Sequence, residues 1–394
     1  MQFVGIDLHT NRFTCCYLVD NSTVKQTKTF DLDTEGLKRF YATINKDTYV
    51  LVEATVNSFS FVSLFKDIVK KVIVANTYQL KSVGVPGKKT DKIDAGKLAE
   101  KLKADIISGV QQIVPVTIPP KEIRDLRALF ATYRSLRKEI GRTKNRIHSL
   151  LKENLYPFTK EYIFGKKARL EIRTLSNDRI LSFQINLLMD ALEQLEAAFD
   201  KLVDEINKAG SPFMAQIAIL TSMTGISVIT AIAIIADVID VSRFRNAKHF
   251  ASYLRSAPLV ESSNNTTIIK STNKAGRKLS ITLLSQSLNH FRDNNESLSR
   301  FYERTSVYKK KGVVRMALCR RVITQVYQML KKQEYHYCYN PVLHKKKMAE
   351  YQRFLQRGEY YSSERAFSCK WHIIPPCIRM PYNPPFLDKK RRSY

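Results

Sequence analysis

Two short runs near the start of the chain, FVGIDLH at 3–9 and FTCCYLV at 13–19, are dense in β-branched and aromatic residues and predict strands. A third strand is expected over 24–30. A helix follows over 34–44 with Thr34 as N-cap. Next come a strand at 49–54, a helix at 59–70, a strand at 71–75 and a helix at 91–103. Three strands followed by alternating helices and strands predict an α/β layer fold with a mixed sheet.

Pro115, Pro119 and Pro120 mark a boundary, after which the period changes. Between 121 and 153 apolar residues recur at helical spacing: Ile123, Leu126, Leu129, Leu136, Ile140, Ile147 and Leu151. Arg134, Arg137, Lys138, Arg142, Lys144 and Arg146 crowd the other faces. A second long helix over 181–209 carries Glu193, Glu196, Asp200, Asp204 and Glu205. A basic and an acidic helix can pair as an antiparallel hairpin or as a coiled-coil dimer, or simply be two solvated faces. Residues 220–237 read as helix, short glycine turn and apolar helix, a helix-hairpin-helix-like element whose turn amides could hold a phosphate. A short helix is expected at 247–254, a polar loop at 255–273, and helices at 275–291 and 313–330. From 334 the chain is basic and aromatic without a period, and it reads as an irregular extension suited to stacking on bases. The expected division is therefore 1–115, 116–210, 211–335 and 336–394.

Charge narrows the function. Lys and Arg number 65 against 36 Asp and Glu, a formal excess of +29. Such an excess attracts polyanions, and nucleic acid is the first candidate because each neutralised phosphate releases counterions. Acidic membranes and ribosomal RNA are the other polyanions to weigh. Cys15 and Cys16 lie in an apolar run and read as core, and six cysteines in 394 residues do not make a disulfide framework. The N-terminus lacks a charged-then-apolar leader pattern. The apolar stretch 226–241 is interrupted by polar residues and falls short of the ~20 residues a membrane span needs. A cytoplasmic protein without membrane partners is expected. No GxxxxGK[ST] loop occurs, so no nucleotide cofactor is expected. Cys338, His344, Cys369, His372 and Cys377 raise the idea of a zinc site, but no CxxC pair supports it.

The carboxylates carry the chemistry. Asp7 ends a strand in GID, and Glu53 ends a later strand in VEAT. Asp91 and Asp94 are three residues apart in KTDKIDAGKLAE and share a helix face. Each alone could be a cap or a solvated acid. Together, on neighbouring strand ends and one helix, they would repel unless cations sat between them. Mg²⁺ suits such oxygen ligands, and two ions can clamp the attacking and leaving oxygens of a phosphodiester.

These motifs, with RALFATYRSLRKEIGRTKNRIHSLL and MTGISVITAIAIIADVIDVSRFRNAKHFASY, resemble the DEDD transposases of bacterial insertion sequences. That class includes the Piv-like invertases and the bridge-RNA-guided recombinases. The resemblance spans about residues 1–330. It implies a RuvC-like, RNase H-like α/β domain to about residue 115, followed by a long helical coiled-coil segment and a mostly α-helical second domain. It also implies a nucleophilic serine in RSAPLVESSNN, at Ser262, with Ser263 adjacent. Three departures stand out: Ser263 where the family has Gly, Ser256 and Ala257 before Pro258, and Ile281 and Thr282 where an Arg pair is common. The resemblance further implies DNA as substrate, a structured guide RNA, and a homo-dimer or tetramer.

The expectation is a composite centre. Asp7, Glu53, Asp91 and Asp94 would hold two Mg²⁺ ions, and Ser262 would attack the scissile phosphate. Arg134, Arg137, Lys138, Arg142, Lys144, Arg146, Lys274, Arg277 and Lys278 would contact nucleic acid. The competing readings are a RuvC-like nuclease using metal-activated water, and an inactive nucleic-acid-binding relic. Tyrosine recombination ranks low because no Arg-His-Arg-Tyr set is present.

Overall fold

The structure, a computed structural model, describes residues 1–76, 90–111, 113–156, 163–263, 266–272 and 276–357, with backbone alone for 259–263 and 266–271. It divides into two compact units, Met1–Lys121 and Glu122–Tyr394.

The first unit is built on β1 (Gln2–Leu8), β2 (Arg12–Val19), β3 (Gln26–Asp31), β4 (Thr48–Glu53) and β5 (Lys71–Ala75). The strand order is β3-β2-β1-β4-β5. The β1–β2 and β2–β3 pairs are antiparallel, and the β1–β4 and β4–β5 pairs are parallel. Helices α1 (Thr34–Tyr41), α2 (Ser58–Ser63) and α3 (Asp91–Ser108) cover the sheet. This is the mixed-sheet, RNase H-like architecture expected from the motifs. Side chains alternate across a strand, so its two faces build separate cores. Val4, Ile6 and Leu8 pack with Phe13, Phe40, Phe61 and Phe65 on one face. Phe3 and Leu51 pack with Ala95, Ala99 and Leu102 of α3 on the other. Gly5 lies directly beneath α3, where a Cβ would stand 2.3 Å from the Ala95 carbonyl oxygen.

Several boundaries differ from expectation. Asp33, not Thr34, caps α1, accepting from the Gly36 amide at 2.7 Å, and the helix ends at Tyr41. The helix expected over 59–70 is confined to 58–63. Residues beyond it close as successive turns, tied off where the Lys70 amide donates to Thr48 O at 2.9 Å. The third strand starts at Gln26 rather than 24.

The second unit begins with α4 (Lys121–Glu153), α5 (Lys166–Arg173) and α6 (Arg179–Ala209). The basic α4 and acidic α6 pair within one chain, through Lys144–Glu196 at 2.7 Å and through Tyr133 against Phe199 at a centroid distance of 4.9 Å. At one end of the pair Ile147 and Leu151 form a small core with Ile172, Ile185 and Met189. At the other, Ile123, Leu126, Phe130, Val203 and Ile206 enter a large core. That core is shared with α7 (Met214–Thr221), α8 (Val228–Val238), α9 (Ala247–Tyr253), α10 (Leu279–Gln286), α11 (Leu288–Asp293), α12 (Glu296–Ser306) and α13 (Lys311–Lys332). The apolar α8 is buried along its length, as a helix hydrophobic all round must be.

Two expectations fail here. The stretch 255–273 is not a loop. It contains β6 (Pro258–Ser263) and β7 (Thr266–Thr272), which pair antiparallel with Ser262 opposite Thr267. β-branched residues flanking an Asn pair favour that pairing over solvated coil. Nor is the chain without regular structure from 334 to 357, because α14 (Pro341–Arg357) is helical; the rest of the expected extension, 358–394, lies outside the described residues. Asn340 accepts from the Leu343 amide at 3.1 Å, Pro341 opens the helix, and Tyr351 and Phe354 bury one face. The helix expected over 275–291 starts at Leu279 and is broken between α10 and α11. Among the described residues no helix is long and apolar enough to cross a membrane.

Candidate functional site

The site in the first unit follows from the alternation of β1 and β4. Parallel pairing runs to Ile6 opposite Val52, so Asp7 and Glu53 are the next residues on neighbouring strands. Phe3 and Gly5 face α3, and Leu51 packs there too, so Asp7 and Glu53 share that face by strand period. Thr90 accepts from the Ile93 amide and caps α3, which sets Asp91 and Asp94 in the first helical turn. All four expected carboxylates are thereby brought to one end of one sheet face.

The tightest group is Asp7, Asp91 and a residue the sequence reading passed over, His9. Their ligand atoms lie within 4.8 Å of one another. His9 Nε2 stands 3.2 Å from Asp7 Oδ2 and 3.4 Å from Asp91 Oδ1. The Arg12 guanidinium reaches the other Asp91 oxygen at 3.2 Å. Asn57 holds the turn in place, donating from Nδ2 to His9 O at 3.0 Å. It links the loop after Glu53 to the turn after Asp7. The signal for His9 was its place two residues beyond Asp7; Asn57 left no signal, because its role is a contact across 48 positions.

Burial pushes the Asp7 carboxyl above the usual carboxylate range. His9 opposes this, while the nearby Asp91 and Asp94 push it further up. A half-buried acid crowded by two others is a donor set short of positive charge. Asp7, His9 and Asp91 thus offer a donor set that fits a divalent cation, with Asp94 close enough to act on Asp7 and Arg12 paired to Asp91.

In the second unit Ser262 and Ser263 lie on β6, and their side chains fall outside the described residues. Of the expected nucleic-acid contacts, Arg134, Lys138, Arg142 and Arg146 line exposed faces of α4. Arg142 also pairs with Glu139 at 2.6 Å. Arg137 donates to the Tyr133 hydroxyl and to Gln286 Oε1, both at 3.0 Å. Lys144 is engaged by Glu196 and sits over the Phe164 ring. Arg277 is anchored through its amide to Tyr253 O at 3.0 Å, and Lys278 is exposed at the start of α10. Lys274 lies outside the described residues, as do Cys369, His372 and Cys377. Cys338 is exposed, whereas the His344 ring is held at 2.9 Å from Ala218 O.

Comparison with known proteins places both regions. The family model DEDD_Tnp_IS110, described as a transposase, matches residues 4–156. The model described as "Transposase IS116/IS110/IS902 family" matches residues 217–303. The transposase for insertion sequence element IS1533 of Leptospira borgpetersenii is 24% identical over 256 residues, covering 62% of this chain and 72% of its own length. The first match spans the three tight-cluster residues and both remaining carboxylates, and the second spans the β6–β7 hairpin.

Proposed function

Because this chain belongs to the IS110-type DEDD transposases, we propose that it cuts and rejoins DNA through Ser262, with Asp7, Glu53, Asp91 and Asp94 as its divalent-metal site. The observation that carries the metal half is the approach of the Asp7, His9 and Asp91 ligand atoms to within 4.8 Å of one another, with Asp7 raised by burial and, less, by Asp91 and Asp94. The serine half rests on the position of Ser262 in the second matched segment, on a strand rather than in a solvated loop.

Ser262 Oγ forms a bond to the scissile phosphorus while the bond to the 3′ oxygen breaks. The serine proton ends on that departing oxygen. In the return step a 3′ hydroxyl of the partner strand attacks the phosphoserine, and Oγ recovers a proton. One phosphodiester is exchanged for another, so no ATP is consumed. Two Mg²⁺ ions, when bound, would neutralise charge at the phosphate. His9, Arg12 and Asn57 hold the carboxylates in place for that role.

The DNA partner follows from the family. The further partners in this proposal are a structured guide RNA and a second or fourth copy of the chain, since recombination joins two duplexes. The +29 charge and the exposed Arg134, Lys138, Arg142 and Arg146 of α4 suit polyanions of that size.

The test is a denaturing gel of protein incubated with Mg²⁺, its co-purified RNA and DNA carrying the element's end junction. A protein–DNA adduct lost in Ser262→Ala and in Asp91→Ala, but kept in Ser263→Ala, supports the reading. Strand cleavage with no adduct, insensitive to Ser262→Ala, replaces it with hydrolysis by a RuvC-like nuclease.

A further inference from the structure

The C-terminal end of α8 is gripped by arginines. Arg127 donates from Nε to Ala236 O at 2.7 Å and from a terminal nitrogen to Asp237 O at 3.2 Å. Arg243 donates to Val238 O at 2.9 Å and lies over the rings of Phe244 and Tyr253, 5.4 Å from each centroid. The Tyr253 hydroxyl also donates to Asp237 O. The acid among these cations, Asp237, opposes the lowering of Arg127 but is itself held by Ser280, its Oδ2 accepting from the Ser280 amide and hydroxyl at 2.9 and 2.7 Å. Burial lowers Arg127 to about 10, and Arg277 pushes it the same way.

The β6–β7 hairpin rises from this cluster. Arg255 precedes its first strand by three residues, and Arg277 follows its second by five. The feet are locked together by one backbone and one side-chain hydrogen bond. The Arg277 amide donates to Tyr253 O, and Arg255 Nε donates to Gly276 O at 2.8 Å. Gly276, at φ +101°, approaches so closely that a Cβ would meet Tyr253 O at 2.2 Å.

Arg255 itself has φ +59°, the left-handed region that glycine adopts freely and that strains any residue with a Cβ. An arginine held there by the surrounding fold is a local rule broken, and such breaks concentrate at functional positions. Arg243 is exposed, and Arg255 and Arg277 are half-exposed.

We propose that Arg243, Arg255 and Arg277, set in place by Arg127, form a phosphodiester-binding clamp at the foot of the hairpin that holds the DNA backbone beside the cleavage point. Ser262 lies four residues along β6 from Pro258, about 13 Å at a strand rise of roughly 3.3 Å per residue. If the serine reading above holds, the clamped phosphate is therefore about four base-pair steps from the scissile one, at roughly 3.4 Å per step.

The test uses the full chain and a fluorescent DNA duplex, titrated across a salt series, with Arg243→Ala, Arg255→Gly and Arg277→Ala. Each substitution is expected to weaken binding about 3- to 10-fold and to flatten the log–log salt slope by about 1, as one lost phosphate contact requires. Arg255→Gly is the decisive variant, because it relieves backbone strain. It should bind DNA less tightly while melting no lower than the parent protein. Wild-type affinity and slope in all three variants would overturn the clamp. So would losses confined to an RNA duplex probed in parallel. The readout is equilibrium binding, whereas the serine reading stands or falls on the covalent adduct, so either can fail alone.

Discussion

At the scale of single residues, the proposed metal site makes the sharpest demand. Asp7 is raised by burial and by its acidic neighbours, so a bound cation would relieve the repulsion among these acids. Mg²⁺ or Mn²⁺ at about 100 times its Kd should stabilise the protein by about 2.7 kcal/mol. Differential scanning fluorimetry should show that rise in melting temperature in the parent and not in Asp91→Asn. The same substitution should lower strand cleavage at least about 100-fold, by analogy with the loss of other electrostatic stabilisers. His336 governs a separate pH effect. It is buried, its Nε2 has no hydrogen-bond partner, and burial lowers it to about 4. The unfolded chain takes up a proton below about 6.5, and the folded one does so only near 4. Stability is therefore fully present above 6.5 and falls by up to about 3 kcal/mol as pH drops from 6.5 to 4. Urea denaturation across that window should show the slope, and His336→Asn should flatten it. Asp7, Glu53, Asp91 and Asp94 were legible in the sequence because strand ends and helical spacing are local signals. His9 was legible in principle, two residues on. Asn57 and Arg12 were not, since their role is a contact to a distant element that no local pattern encodes.

At the scale of elements, β1 and α3 are joined through one missing side chain. Gly5→Ala would drive a methyl group into the backbone of α3 and lift Asp91 and Asp94 away from Asp7. A loss of about 3 kcal/mol or more is expected from overpacking at a site where backbone, not side chain, must yield. Chemical denaturation measures it, and an unchanged midpoint would mean the helix sits higher on the sheet. The C-terminal α14 grips the helix-turn-helix beneath it in a different way. Lys347 is half-buried and donates to Thr221 O and Ile226 O at 3.1 and 2.9 Å, the two ends of the turn between α7 and α8. The Tyr351 hydroxyl donates to Asn207 O at 2.7 Å. Lys347→Met keeps the length and removes the donor, which should cost about 2 to 4 kcal/mol for two carbonyls left unpaired. The strongly periodic helix 121–153, the continuous apolar run that forms 228–238 and the strands of the sheet were readable from the sequence alone. The hairpin at 258–272 was masked by its Ser, Thr and Asn content, although Thr and Ile are strand formers. α14 was masked by its lysines, which conceal an apolar face of Met348, Tyr351, Phe354 and Leu355.

At the scale of the whole molecule, the +29 charge sets how the protein meets DNA. Six to ten neutralised phosphates would make affinity fall about 10³- to 10⁵-fold between 50 and 200 mM salt, which fluorescence anisotropy resolves directly. A shallow dependence would mean that most of these cations are spent internally, as Lys144 is on Glu196. The internal staples of α14 carry a different consequence, one of timing. The turn that Lys347 secures ends at Ile226, 121 residues earlier in the chain (347 − 226). At a synthesis rate of about 5–20 residues per second, the turn leaves the ribosome some 6 to 24 s before the lysine that fastens it. During that interval the nascent chain carries its sheet, its carboxylates and its hairpin, while the core around α8 waits for its last helix. A messenger that ends before residue 347 would yield a polypeptide that lacks the lysine fastening that turn.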